Sequence, residues 1–280
     1  ALPISVDQWN LAPRLAFAYR ISKNWTSSLA YGIFYQNPEN RYFGTHDLNF
    51  QKAEHYILQV QKAEEGRSLR AEAFYKNYTN LIKTKVENYL PAALNNNGDG
   101  FAKGIELFWR DKKSLKNIDY WITYSFLDSE RNFQNYDRSL FPNFAAKHTF
   151  SVVAKKFVTD WKTGFNFSYT YASGRPYYHF LTNDSGDYYL NTQGKLKDFN
   201  SLNFSLNYLP NLGKKEAKAF TILVLSVNNI LGQKNIYGYN FSNDGMRRKP
   251  LLPSANTFVF IGAFISFGID RTQEAIDKNL

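Results

Sequence analysis

The sequence has 280 residues, a formal net charge of +10 and no cysteine, which excludes disulfides and thiolate metal sites. Aromatic residues make up 18% of it, with 24 phenylalanines and 20 tyrosines. No run of about 18 apolar residues is present, so a membrane-spanning helix is excluded. Lysine and arginine are scattered along the chain without a clustered basic arm or helix, so we expect no nucleic-acid partner.

Apolar and polar residues alternate with a period of two through most of the chain, which predicts β-strands. The clearest segment places Phe165, Phe167 and Tyr169 on one face and Asn166 and Ser168 on the other. Residues 219–230 are apolar on both faces, so their faces stay unassigned. A continuation of this strand through residues 237–241, after a bulge near Gly232, is one interpretation. Eleven strands are predicted: residues 14–21, 28–35, 56–60, 69–76, 104–110, 120–126, 150–154, 165–171, 202–208, 219–230 and 257–268.

The predicted connections alternate between short and long. This alternation is typical of outer-membrane barrels, in which short periplasmic turns follow long extracellular loops, and a soluble sandwich has no reason to keep it. The sequence therefore predicts an all-β, transmembrane antiparallel β-barrel. The predicted short turns are residues 22–24, 64–67, 111–117, 157–160 and 210–217, and the long loops are 37–50, 83–100, 129–146, 174–199 and 243–255.

Eleven is an odd number of strands, so the first and last strands run in the same direction. An antiparallel barrel of this class closes with an even number of strands. We therefore expect residues 1–270 to form the C-terminal part of a larger barrel, whose other strands precede Ala1. Residues 1–10 would then end an extracellular loop, and the polar residues 271–280 would form a periplasmic tail.

The last predicted strand lies within the nearly uncharged, aromatic segment Asn256–Asp270. Its length suits a membrane-spanning strand, which needs about 9–11 residues. We interpret it as the strand that closes the barrel by pairing with a first strand outside this chain. Its aromatic residues are Phe258, Phe260, Phe264 and Phe267.

Several segments, in their order and spacing, resemble one known family over nearly the whole chain. These segments are Phe34-Tyr35-Gln36-Asn37-Pro38-Glu39, His55-Tyr56, the run from Phe74 to Ile82, the run from Asn97 to Leu107, Ala172-Ser173-Gly174-Arg175-Pro176-Tyr177-Tyr178, Val227-Asn228-Asn229-Ile230-Leu231 and the run from Phe258 to Phe267.

The family is that of the TonB-dependent outer-membrane receptors, and the chain resembles the C-terminal half of their barrel, in particular of those preceded by a carboxypeptidase-regulatory-like domain. The resemblance implies a barrel of about 22 strands, of which eleven are present here. It also implies a plug domain, energy coupling through TonB, and substrate binding by extracellular loops and plug. Neither a plug nor a TonB box occurs in this sequence. The substrate class stays open among siderophore, haem, vitamin, saccharide and peptide.

The best ligand-contact candidates are Arg175, Tyr177, Tyr178 and His179, at the start of the longest predicted loop. Tyrosine and arginine are enriched at binding hot spots. The alternative is that these tyrosines belong to the aromatic girdle of the barrel.

Other polar residues carry weaker hypotheses. Asp184 and Asp187 are weak candidates for a cation site, and no other metal site or cofactor is predicted. The Asn- and Gly-rich residues 95–100 are predicted to form a turn that leads into a strand. His148 and Ser151 lie three residues apart on a strand and therefore on opposite faces, so we expect no catalytic pair and no enzyme.

Charged residues are predicted to lie on the inner face and on the last loop. We expect Arg70, Glu72, Lys76, Glu106 and Arg110 to form an ion-pair lattice against the plug. Residues 247–249, Arg-Arg-Lys, are expected to meet lipopolysaccharide or solvent.

Two functions remain open from the sequence. The first is import of a scarce nutrient across the outer membrane with TonB as partner. The second is a structural or binding barrel within a multi-protein outer-membrane assembly, with loops that dock a surface lipoprotein. A plug and TonB box before Ala1 would favour the first.

Overall fold

The computed structural model describes residues 9–42, 48–214, 217–242 and 245–268. The predicted tail 271–280 lies outside them, as does most of the lead before Asn10. Among these residues no helix is both long and apolar enough to cross a membrane. The strands are β1 (Arg14–Arg20), β2 (Trp25–Gln36), β3 (Gln51–Glu64), β4 (Arg67–Glu87), β5 (Leu90–Asp111), β6 (Ile118–Asn132), β7 (His148–Val158), β8 (Thr163–Ala172), β9 (Pro176–Thr182), β10 (Tyr188–Lys195), β11 (Phe199–Tyr208), β12 (Ala219–Asn228), β13 (Gly238–Phe241), β14 (Arg248–Leu251) and β15 (Phe258–Phe267).

One antiparallel sheet organises the chain. It contains eleven strands in the order β1-β2-β3-β4-β5-β6-β7-β8-β11-β12-β15. Each of the eleven predicted strands corresponds to one strand of this sheet, so the predicted fold class is confirmed. Neighbouring strands are neighbours in sequence except where a small hairpin is inserted, as expected for an up-and-down barrel wall.

The sheet is part of a barrel rather than a closed one. Within the described residues, β1 pairs only with β2, and β15 pairs only with β12. Because the number of strands is odd, these two edge strands run in the same direction and cannot pair antiparallel with each other.

The strand register defines two faces. Residues directly opposite each other share a face, and Phe167 lies opposite Phe204, which lies opposite Val227. Val227 in turn lies opposite Val259. We call this the apolar face and its reverse the polar face. The register thereby assigns the faces of β12: Leu223, Leu225 and Val227 lie on the apolar face.

The predicted long loop 83–100 is wrong. β4 and β5 continue as one hairpin of 21 and 22 residues, joined by the two-residue turn Asn88-Tyr89. Both turn residues have positive φ, 49° and 64°, as a type I′ hairpin turn requires. The predicted turn at residues 95–100 therefore lies inside β5. Gly98 and Gly100 fit there because the neighbouring strand β6 lies so close that an added Cβ would clash with its backbone.

Two further predictions about the connections need correction. Residues 237–241 do not continue β12, which ends at Asn228. Residues 238–241 form β13, which pairs with β14 in a separate two-stranded sheet. The predicted loop 174–199 contains a second hairpin, β9 with β10. Both hairpins insert at the same end of the main sheet, which we call the loop end; the opposite end is the turn end.

The buried apolar residues lie at the loop end. Tyr42, Leu48, Ile82 and Ala93 form one buried cluster, in which Tyr42 and Leu48, from the described parts of the connection between β2 and β3, pack against the projecting β4–β5 hairpin. The strands nearer the turn end expose their apolar face instead. The chain thus has its packed core outside the span of its main sheet, an arrangement suited to a wall that meets lipid.

A buried carboxylate fixes one turn at the turn end. The side chain of Asp111 is 1% exposed and accepts hydrogen bonds from the backbone N–H groups of Lys113 and Ser114. It also accepts bonds from the Ser114 hydroxyl at 2.6 Å and from Arg67 Nε at 3.1 Å. These bonds satisfy the turn between β5 and β6 locally, as an Asx turn does.

Candidate functional site

The apolar face of the sheet is a continuous exposed surface. Leu15 on β1 is 70% exposed, Leu58 on β3 45% and Phe167 on β8 49%. Such a surface would be an aggregation hazard in water. In a membrane barrel it is the face that meets the lipid chains.

The polar face carries side-chain hydrogen bonds between strands. Asn166 donates to the Ser205 hydroxyl at 3.2 Å, and Asn203 donates to the Ser168 hydroxyl at 3.1 Å. Within β11, Ser201 donates to Asn203 at 2.9 Å. A polar face behind an apolar face is the arrangement of a barrel wall with a hydrated interior.

In the part of the chain that the structure describes, no ion pair joins any two of the five residues of the predicted lattice. Arg110 pairs with Asp119, a residue outside the predicted set, at 2.6 Å. Glu72 and Glu106 lie directly opposite each other, which places two like charges together. Contact with a plug stays a prediction.

The four predicted ligand-contact residues lie at the loop end, on and beside β9, but point in different directions. Tyr177 and His179 share one face of β9, whereas Tyr178 lies on the other because strand side chains alternate. Arg175 precedes the strand and donates from Nη2 to the Tyr237 carbonyl at 2.8 Å. The four side chains therefore do not form a single site.

Tyr177 and His179 pack against the second hairpin. The ring of Tyr177 lies 4.9 Å from that of Tyr239, and the His179 ring stacks on Phe241 at 4.6 Å. The exposed guanidinium of Arg248 lies over Tyr239 at 4.7 Å and donates to the Tyr177 hydroxyl. These five residues form an aromatic and cationic surface, which we call the hairpin platform.

Tyr178 has a structural role instead. Its hydroxyl donates to the Phe141 carbonyl at 2.9 Å, and its ring meets Tyr136 edge-on at 5.5 Å. Burial, with a smaller contribution from Tyr136, raises the pKa of Tyr178 to about 12. It fastens the β9–β10 hairpin to the connection between β6 and β7.

A carboxylate holds the base of the β9–β10 hairpin. Asp198 accepts hydrogen bonds from the Gly174 backbone N–H and from the Tyr171 hydroxyl, each at 2.8 Å. The bond from Gly174 and then the bond from Tyr171 hold the pKa of the Asp198 carboxyl below its ordinary value. Sequence reasoning missed this residue, because its partners lie 24 and 27 positions away along the chain.

Asp184 and Asp187 lie exposed in the turn between β9 and β10. Within the residues that the structure describes, no group of three His, Cys, Asp or Glu side chains could hold a metal ion. The neighbouring Gly186 accepts a backbone hydrogen bond from Val86 at 2.8 Å, so this turn docks on the projecting β4–β5 hairpin. The two carboxylates stay a prediction as a cation site.

His148 lies on the apolar face beside aromatic neighbours. Its Nδ1 is 2.9 Å from the Tyr124 hydroxyl, and its ring packs on Phe126 at 5.3 Å. Ser151 lies opposite Thr123, on the polar face. The two residues lie on opposite faces, as their spacing predicts.

The predicted closing strand corresponds to β15, at one edge of the sheet. Phe258, Phe260 and Phe264 lie opposite Asn228, Ser226 and Ile222 on the polar face, and Phe267 lies on the apolar face. The three phenylalanines on the polar face, together with Ile222 and Val224, make that face apolar in this region. Pairing of the free edge with a strand outside the chain stays a prediction.

The sequence interpretation missed a cavity on the polar face at the loop end. Its volume is about 500 Å³, and it lies between β2, β3, β4 and the end of β6. Its lining combines the aromatic residues Phe34 and Tyr78 with His55 and Arg131. Alternation marks these side chains as inward-facing, but only the packed connections enclose them.

An antiparallel wall with one lipid-facing and one hydrated face is that of a transmembrane β-barrel. Residues 3–230 match the family model described as "TonB dependent receptor-like, beta-barrel", and the chain belongs to this family. It is therefore part of an outer-membrane β-barrel. The matched range ends before β15, which joins the same sheet. A search of curated proteins found no match to this sequence.

Solved structures show the same fold. The outer membrane transporter YddB from Escherichia coli superposes with a TM-score of 0.67 at 14% identity, over 92% of this chain and 40% of that one. The ferric yersiniabactin uptake receptor FyuA from Yersinia pestis gives 0.65 at 13%, over 91% and 37%. The pyoverdine receptor FpvA from Pseudomonas aeruginosa gives 0.67 at 9%, over 90% and 36%. This chain thus spans well under half the length of these proteins.

Proposed function

We propose that this protein imports a nutrient across the outer membrane, with TonB supplying energy through a plug domain. The observation that carries the proposal is the two-faced wall: an exposed apolar face for lipid and a hydrogen-bonded polar face for a hydrated interior. Family membership supports energy coupling. The structural neighbours include proteins named for ferric yersiniabactin and pyoverdine, so a metal-chelating siderophore is the first solute class to test.

The proposed extracellular contact is the hairpin platform, with Tyr177 and His179 on its face. Its rings are already packed against one another, so little side-chain freedom is lost when a ligand binds. Arg248 adds a fixed positive charge. Arg175 and Tyr178 would support this surface rather than contact the solute, because both are engaged with backbone carbonyls. Arg247 and Lys249 flank Arg248 and are proposed to meet lipopolysaccharide.

A second candidate function is supported by the same platform. An exposed aromatic and cationic surface that is already folded suits a protein partner as well as a small solute. In this reading the barrel is a component of an outer-membrane assembly, and a surface lipoprotein docks on the two hairpins. The two functions differ in one outcome: only import predicts that a cell lacking the protein loses uptake of a solute.

The test is uptake by a strain that lacks the protein. We expect loss of growth on one nutrient class, with ferric siderophores tested first, and restoration by the wild-type gene. Uptake should stop when a protonophore removes the energy source. A Tyr177→Ala variant should lower uptake by about tenfold, the usual scale of a hot-spot residue, while Tyr189→Ala, an exposed tyrosine on β10, serves as control. Unchanged growth on every class would contradict import and favour the assembly function.

A further inference from the structure

The cavity on the polar face contains an arginine, Arg131, that has no acidic partner among the described residues. Arg131 lines the cavity, and the part of the chain that the structure describes places no carboxylate within ion-pair distance of it. Its Nε is buried and makes no hydrogen bond. A half-buried guanidinium without a counter-charge is costly, so an unpaired arginine facing a cavity indicates a missing acceptor.

A glycine positions this arginine. Arg131 lies opposite Gly100 on β5, and Gly100 lies opposite Tyr78 on β4. A Cβ at position 100 would stand 2.9 Å from the Arg131 Cγ, so the missing side chain leaves the slot that the arginine fills. Across this slot the guanidinium lies 4.2 Å from the centre of the Tyr78 ring.

Aromatic rings surround the same group. Phe133 and Phe144 each place a ring centre 5.6 Å from the Arg131 guanidinium. Contacts with ring faces hold a guanidinium in place and leave its edge free to donate hydrogen bonds. Arg131 is therefore held in position before any ligand arrives.

Among the described residues, the other charged side chains of the lining form no ion pair with Arg131. Lys52 pairs with Glu54 at 2.5 Å. Glu39 lines the cavity and has a contact of its own, and the described residues show no ion pair between it and Arg131. The His55 ring packs on Phe34 at 4.5 Å, which adds a second aromatic wall.

We propose that this cavity binds a flat anionic group, a carboxylate or phenolate on an aromatic or conjugated frame, of the solute that the protein imports. The proposal rests on the proposed function and names the chemistry of its substrate. A cavity of about 500 Å³ lies in the range of small-molecule sites, about 300–1,000 Å³. The rings match a flat frame, and the arginine edge supplies charge-assisted hydrogen bonds.

The test compares two probes of the same shape and different charge. Benzoate and benzamide are titrated into the intact detergent-solubilised protein, and binding is followed by ligand-observed NMR. We expect saturable benzoate binding and about tenfold weaker benzamide binding, because a charge-assisted hydrogen bond contributes that much or more. Arg131→Gln should weaken benzoate binding by about tenfold, and Arg131→Lys less. Arg247→Gln, at an exposed arginine outside the cavity, should change nothing.

Three results would overturn the proposal. They are equal binding of the two probes, benzoate binding that survives Arg131→Gln, and no benzoate binding at all. If Arg131→Gln fails to fold, the two probes on wild-type protein and the Arg131→Lys variant still decide. If the purified protein binds benzoate but the strain that lacks the protein shows no uptake defect, the proposed function is refuted and the anion site stands.

Discussion

Asp198 shows how one side chain can fasten the base of a hairpin at the loop end. It joins Gly174, just before β9, to Tyr171 at the end of β8, and it lies next to β11. Both bonds favour its ionised form, so its pKa lies below the ordinary value of about 3.9. The carboxylate therefore stabilises the hairpin base above about pH 4, and this contribution is lost as the pH falls through the depressed pKa.

We expect Asp198→Ala to loosen the hairpin base at neutral pH and to remove its acid sensitivity. The readout is hydrogen-exchange protection of the Gly174 amide, followed from pH 7 down through the acidic range until the wild-type carboxyl is protonated. Wild-type protein should lose protection on acidification, and the variant should show low protection throughout. Asp184→Ala, at an exposed turn carboxylate, is the control. Equal acid sensitivity in Asp198→Ala would refute the assignment.

The β4–β5 hairpin shows how one element is governed by its neighbours. Gly98, Gly100 and Gly104 lie on the same face of β5, where added Cβ atoms would stand 2.5, 2.5 and 2.2 Å from backbone oxygens of β6. The glycines of the Asn-Gly-Asp-Gly segment thus allow close approach of strands, although the same letters are turn signals. A local sequence pattern cannot separate these two uses.

We expect Gly104→Ala to destabilise the barrel by roughly 1–3 kcal/mol, the usual cost of overpacking, because the Phe126 carbonyl is backbone and cannot move aside. Gly164→Ala on β8 is the matched control, since its new Cβ would meet a Phe157 side-chain atom at 3.5 Å. Urea unfolding in lipid vesicles, followed by electrophoretic mobility, measures both. Equal stability of the two variants would show that the strands can separate at no cost.

On the scale of the whole molecule, the two-faced sheet predicts how the protein tolerates charge. Leu58 and Gln59 are neighbours on β3 and lie on opposite faces. Leu58 is flanked by Leu29 and Ala73 on the apolar face. Gln59 lies opposite Glu72 on the polar face, so a positive charge there would gain a partner.

We expect Leu58→Arg to destabilise the intact barrel by about 2–4 kcal/mol near the bilayer midplane, whereas Gln59→Arg should be close to neutral. Folded yield in the outer membrane, measured by heat-modifiable mobility, is the readout. If both variants assemble equally well, the apolar face does not meet lipid.

The sequence by itself determined the number and kind of strands. Alternation is a local property, because side chains at i and i+2 share a face whatever the partner strand is. It predicts all eleven strands of the sheet, the lipid-facing residues from Leu15 to Tyr208 and the odd count that prevents closure. It also separates Tyr177 and His179 from Tyr178.

Only the tertiary structure decided which strands extend, which pair and what they enclose. The faces of β12, apolar on both sides, needed the register with β11 and β15. The extension of β4 and β5 and the separate β13–β14 hairpin depended on packing partners distant in sequence. Arg131, Gly100 and Tyr78 meet because three strands align, so the cavity is set by register and loop packing, which no single segment encodes.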